Sequence, residues 1–189
     1  MATPQAIVIG CSAGGLTALE SLFSALLPNL EQAIVVCCHT GSATVDMMCE
    51  LLAQHATLPV KEATERAPVE AGVIQVAPSG YHLLIENSRR FALSVDERVS
   101  YARPSIDVLF ESAAEAYREA LIGVVLTGAN SDGAEGLAWV RRNGGVAIVQ
   151  DPADAEATAM PTAALEIAGA DYCVPLAAIA PLLNRLCLP

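Results

Sequence analysis

Gly10-Cys11-Ser12-Ala13-Gly14 places a serine among small residues, where a short apolar run gives way to a helix-period segment. Gly-x-Ser-x-Gly at a strand-to-helix turn is the context of a nucleophile elbow. Small neighbours let the chain turn sharply, and the helix N-terminus offers positive charge to a developing oxyanion. Serine is also a favoured N-cap, so capping of the following helix is a rival reading of Ser12. A dinucleotide fingerprint fails, because Gly-x-Gly-x-x-Gly requires glycine where Ser12 stands.

A serine nucleophile needs a base. Of the three histidines, His55 falls near the end of a helical segment and His82 beside a strand, positions that read as solvated or structural. His39 directly follows the second apolar run. A carboxylate to orient it is available in Thr127-Gly128-Ala129-Asn130-Ser131-Asp132-Gly133-Ala134-Glu135, where Asp132 follows another strand. Asp132-x-x-Glu135 also reads as a capping box, and Asp107 and Asp151 are alternative acids. In an open parallel sheet the carboxyl ends of the strands share one edge, so Ser12, His39 and Asp132 all belong to that edge. The order Ser, His, Asp excludes the usual α/β-hydrolase, whose histidine comes last, but triads are defined by geometry and not by order.

Short apolar runs alternate with helix-period segments, the pattern of a parallel α/β sheet. Strands are expected at Ala6–Gly10, Ala33–Cys38, Leu121–Thr127, Val146–Gln150 and Tyr172–Val174, with helices following Ser12, His39, Pro104 and Asp132 and two more near the C-terminus. The middle third differs. Val73–Ala77, Tyr81–Glu86 and Phe91–Val95 are short runs with turn residues between them, and the last two predict an antiparallel hairpin at an edge of the sheet. The expected fold is α/β: a doubly wound, mainly parallel sheet in a three-layer, Rossmann-like sandwich, forming one domain over residues 1–189.

The net charge of −11, with ten scattered Lys and Arg, argues against a nucleic-acid partner. No apolar run approaches the roughly 18 residues of a membrane span, and the N-terminus lacks a basic signal region, so a cytoplasmic chain is expected. The six cysteines read as free thiols. Cys37, Cys38, His39, Cys49 and His55 are poorly spaced for zinc, so neither metal nor cofactor is expected.

With these residues assembled, the chain resembles the catalytic domain of the chemotaxis protein-glutamate methylesterase family (CheB-type). The likeness spans nearly the whole chain, through IGCSAGG, CCH, APSGYHLLI, ARPSIDVLFESAA, LTGANSDGAEG and AMPTAALEIAGADYCVPL in that order. The resemblance implies that Ser12 is the nucleophile, His39 the general base and Asp132 its orienting acid, with the backbone amides of Ala13 and Ala129 as oxyanion donors. The implied reaction is hydrolysis of glutamate γ-methyl esters on the cytoplasmic helices of chemoreceptors, releasing methanol, together with deamidation of glutamines. The family's usual receiver domain is not within these 189 residues, so a separate receiver or regulator protein is an expected partner. Ala13 stands where the family commonly has threonine, Ala129 where it has methionine, Asn130 where it has glycine, and Thr40-Gly41 replaces an apolar-Pro step. Asn130 is expected to serve there because asparagine tolerates a left-handed backbone. These departures keep two alternatives in view: a hydrolase of another ester or amide, and an inactive module that docks receptor helices.

Overall fold

The structure, a computed structural model, describes residues 2–39 and 44–188, so the Thr40-Gly41 step lies outside it. Its first half runs β1 (Ala6–Cys11), α1 (Gly15–Ser24), β2 (Ala33–Cys38), α2 (Val45–His55), β3 (Val60–Glu62), β4 (Ile74–Val76), β5 (His82–Ile85) and β6 (Phe91–Ser94). The second half runs α3 (Ile106–Tyr117), β7 (Leu121–Val125), α4 (Ala134–Arg142), β8 (Val146–Gln150), α5 (Ala159–Ile167), β9 (Tyr172–Val174) and α6 (Leu176–Cys187). Seven parallel strands form one sheet in the order β3-β4-β2-β1-β7-β8-β9. The chain builds outward from β1 in both directions, so the winding reverses between β1 and β7. That reversal opens a crevice at the carboxyl ends of the strands, where sites form in such sheets.

Helices cover both faces, which is why β1, β2 and β7 are buried along their full lengths and read as continuous apolar runs. Alternate residues divide between two cores. Ile7, Ile9, Ile34 and Val36 pack with residues of α1, α2 and α6. Ala6, Val8, Val35 and Val125 pack with α3, α4 and α5. On the second face two helices come very close. At Gly136 a Cβ would stand 2.7 Å from Phe110 Cβ and 2.9 Å from Asp107 Cα. Glycine there lets the starts of α3 and α4 approach closely, and that approach has chemical consequences below.

The hairpin forms, with Leu83 opposite Leu93 and Ile85 opposite Phe91, but β5 and β6 pair only with each other. The edges of the seven-stranded sheet are instead β3 and β9. Leu83, Ile85 and Phe91 are buried in the same core as Leu109 and Phe110 of α3, and the Ile85 amide donates to Ser112 Oγ on that helix. Burial against α3 therefore holds the hairpin over a helix. Strand β3 is absent from the sequence expectation because Val-Lys-Glu is short, and Lys61 is exposed.

Candidate active site

Register places the first two candidates side by side. Cys11 pairs with Cys38, so Ser12 and His39 are the next residues of neighbouring strands, and the His39 amide donates to Cys11 O at 3.0 Å. The Ser12 amide donates to Thr127 O at 3.0 Å, and the Ser12 carbonyl accepts from Gly15 N at 2.7 Å. The N-cap of α1 is Gly14, at φ 75°, and no side chain caps that helix. The Ser12 hydroxyl is thus free of the capping duty considered from sequence.

Thr127 clasps this turn. Its hydroxyl donates to Ala13 O at 2.9 Å and accepts from Ala157 N at 2.8 Å, while its own amide donates to Gln150 Oε1. Ala13 and Ala129, next in sequence to Ser12 and Asn130, are exposed.

The His39 ring is 15% exposed and its Nε2 lies 2.8 Å from Oδ2 of Asp132, which is fully buried. Asp107 does not reach His39, and Asp151 is spent on the Ala153 amide of its own loop. Asp132 does not form a capping box, because the N-cap of α4 is Gly133, φ 99°, one residue after it. It caps a different helix. Oδ2 accepts from the Ile106 amide at 2.7 Å, and Oδ1 accepts from the Asp107 amide at 3.0 Å and from Ser105 Oγ at 2.9 Å. Asp107 returns the service, its Oδ1 accepting from Gly133 N at 2.9 Å and Gly136 N at 2.7 Å at the start of α4. Each helix is capped by an acid from the segment opening the other.

These contacts set the two carboxyls apart. Burial alone would raise the Asp132 carboxyl, but the bonds from His39, the Asp107 and Ile106 amides and Ser105 outweigh it and hold the group below the usual carboxylate range. Asp107 is pushed up to about 6, chiefly by burial and by the nearby Asp132 charge, against the lowering effect of the Gly136 and Gly133 amides. An acid raised in the folded state favours the fold below its unfolded pKa of about 3.9, and that contribution is lost as pH rises through the folded value. Asp107→Asn keeps an oxygen to accept both glycine amides and removes the ionisation. Thermal unfolding is therefore expected to favour D107N over wild type more at pH 7 than at pH 4.5. A gap independent of pH would show that Asp107 ionisation carries no penalty.

Asn130, for which sequence supplied only a backbone role, joins the site through its side chain. Its Oδ1 accepts from the Asp132 amide at 3.0 Å and its Nδ2 lies 3.2 Å from His39 Nδ1. Its φ is not positive, so left-handed tolerance is not what asparagine supplies here. His82 is buried and structural: its Nε2 donates to Glu97 O and its Nδ1 accepts from Ser105 N. That pair of bonds ties the 95–104 segment to the start of α3, where it forms a wall of the site. His55 is exposed at the end of α2.

The crevice is a cavity of about 430 Å³ whose lining includes Ser12, His39, Asn130, Arg98, Tyr101 and Arg103. All six cysteines are free. Among the described residues no cluster of His, Cys, Asp and Glu is arranged to hold a metal ion, and no helix is long and apolar enough to cross a membrane.

The model of the CheB methylesterase family matches residues 7–183. The chain belongs to the CheB methylesterase family. A Leptospira interrogans relative (serovar copenhageni), named "Putative protein-glutamate methylesterase/protein-glutamine glutaminase", is 46% identical over 182 residues, covering 96% of this chain and 94% of that one. A protein-glutamate methylesterase/protein-glutamine glutaminase of Symbiobacterium thermophilum is 35% identical over 95% of this chain, which spans 49% of that longer relative. The crystal structure of the Thermotoga maritima CheB methylesterase catalytic domain superposes with a TM-score of 0.92 at 31% identity, covering 97% of this chain and 99% of that one. The CheB fold thus accounts for the seven-stranded sheet and for the separate hairpin.

Proposed function

We propose that this chain is a protein-glutamate methylesterase, acting in the cytoplasm as one catalytic domain on methylated chemoreceptor helices. The observation that carries the reading is a histidine gripped on Nε2 by a buried carboxylate, beside a serine in a sharp turn at the mouth of the same cavity. Asp132 accepts a hydrogen bond from Nε2–H and leaves the Nδ1 lone pair to take the proton of Ser12 as its oxygen attacks the ester carbonyl. The backbone amides of the exposed residues Ala13 and Ala129 are the donors assigned to the oxyanion. His39 then returns the proton to the departing methoxide, methanol leaves, and water cleaves the acyl-enzyme by the same base. A glutamine side chain would follow the same path with ammonia as the leaving group. Control by a separate receiver or regulator protein belongs to this reading.

The names carried by the relatives support the substrate class. The test is methanol release from a purified, methylated receptor by the purified chain. Release in step with loss of receptor methyl groups is expected. Turnover of simple ester probes without receptor turnover would point to a hydrolase of another ester or amide. Receptor binding without any turnover would point to a docking module.

A further inference from the structure

We propose that Asn130 is a positioning residue that holds His39 in a resting arrangement, its side-chain amide occupying the Nδ1 lone pair that must accept the Ser12 proton. The inference rests on the reading of Ser12 as the nucleophile.

The chemistry of the contacts fixes which end of Asn130 faces the histidine. A backbone N–H can only donate, so the Asn130 atom bonded to the Asp132 amide at 3.0 Å is the oxygen. The –NH2 is therefore the group 3.2 Å from His39 Nδ1, and Nδ1 is the acceptor. On the other side of the ring, a carboxylate held ionised by its amide donors accepts from Nε2 at 2.8 Å. The ring is thus the Nε2–H tautomer, the form a serine base requires. Both nitrogens are nevertheless engaged by residues of one loop, 130 and 132, and neither bond goes to Ser12.

For His39 to work, the Ser12 hydroxyl must replace the Asn130 amide at Nδ1. This exchanges one neutral hydrogen bond for another, so the hold is a modest brake. It acts again once the proton has moved. A protonated Nδ1 would face an –NH2, and the Asn130 oxygen is already committed to the Asp132 amide. Asn130 lines the cavity and is only partly buried, so the released amide can be taken up by water or by an acceptor on the substrate. A glycine at this position would leave the lone pair to the serine.

The experiment measures the second-order rate of Ser12 labelling by a fluorophosphonate in the full chain, for wild type, N130A and N130D, with S12A as the site control. It is paired with ¹⁵N NMR of the His39 ring. Because the φ of Asn130 is not positive, alanine fits the backbone. N130A should label about threefold to tenfold faster, the range set by one neutral hydrogen bond, and its Nδ1 resonance should move toward that of an unbonded acceptor. N130D keeps an oxygen for the Asp132 amide but turns the donor into an acceptor. It should hold protons on both ring nitrogens and label at least about tenfold more slowly than wild type. A purely structural role would leave N130D like wild type.

N130A labelling at or below the wild-type rate would overturn the proposal. So would a wild-type Nδ1 resonance already at the unbonded position, a measurement that needs no variant. Label absent from Ser12 in every protein would overturn the nucleophile reading and, with it, the brake.

Discussion

Ser12→Ala is expected to abolish methanol release while leaving the protein as stable as wild type. The loss in turnover should approach about 10⁵- to 10⁶-fold, the scale seen when a serine nucleophile is removed and only binding and oxyanion contacts remain. The stability half of the prediction comes from the turn itself. The bonds that shape it use the Ser12 backbone and the Thr127 hydroxyl, and α1, with Gly14 as its N-cap, has no side-chain cap. Removing the hydroxyl should thus change the unfolding free energy by no more than about 0.5 kcal/mol. Receptor turnover by S12A at the wild-type rate would remove Ser12 from the chemistry. A clear fall in Tm would mean that the hydroxyl has a structural duty.

Asp132→Asn should fail on both counts. Its two oxygens together receive four donors: His39 Nε2, the Ile106 and Asp107 amides, and Ser105 Oγ. An amide in that place must turn its –NH2 toward at least one backbone N–H, a donor facing a donor. The side chain is fully buried, out of reach of the bulk solvent that could relieve it. Turnover should fall by about 10⁴-fold, as expected when a triad acid no longer sets the tautomer of its histidine. Unfolding free energy should fall by about 2–4 kcal/mol, the scale of breaking a buried, hydrogen-bonded charge.

The pH dependence carries a definite sign. A carboxyl depressed in the folded state stabilises above its unfolded pKa of about 3.9, and that stability is lost as pH falls through its lower folded value. The gap between wild type and D132N should therefore narrow below about pH 4. Lost turnover with wild-type stability would leave Asp132 an orienting acid that holds no helix.

Several of these features were readable from sequence because their signals are local. Val146–Gln150 and Tyr172–Val174 are strands at the expected bounds, since short β-branched runs between turns have few other uses. Ser12 and His39 could be placed on one edge because parallel strands share a direction. Spacing alone leaves Asp132 open between triad and cap, and only the family resemblance favours the triad; the structure explains the ambiguity. The residue is a cap, but for a helix whose first residue lies 26 positions earlier. A capping box is a spacing of three, whereas a cap exchanged between two helices leaves no spacing to read. The side-chain role of Asn130 is hidden for a related reason. Its backbone tendency is a property of the residue alone, whereas its side-chain partner lies 91 positions away. The hairpin was legible as a hairpin, but its docking on α3 depends on Ser112 and Phe91, which no turn motif connects.

The exchanged caps also bear on how the enzyme comes into existence. The acid bonded to His39 is held by the first turn of α3, and the acid holding α4 stands in that same turn. Until the two helices have docked on one another, neither carboxylate has its amides and the histidine has no fixed tautomer. On the proposed mechanism, a nascent or partly unfolded chain therefore carries the serine but not the means to activate it. On that mechanism hydrolytic competence depends on the docking of α3 on α4 and is lost wherever that docking is lost.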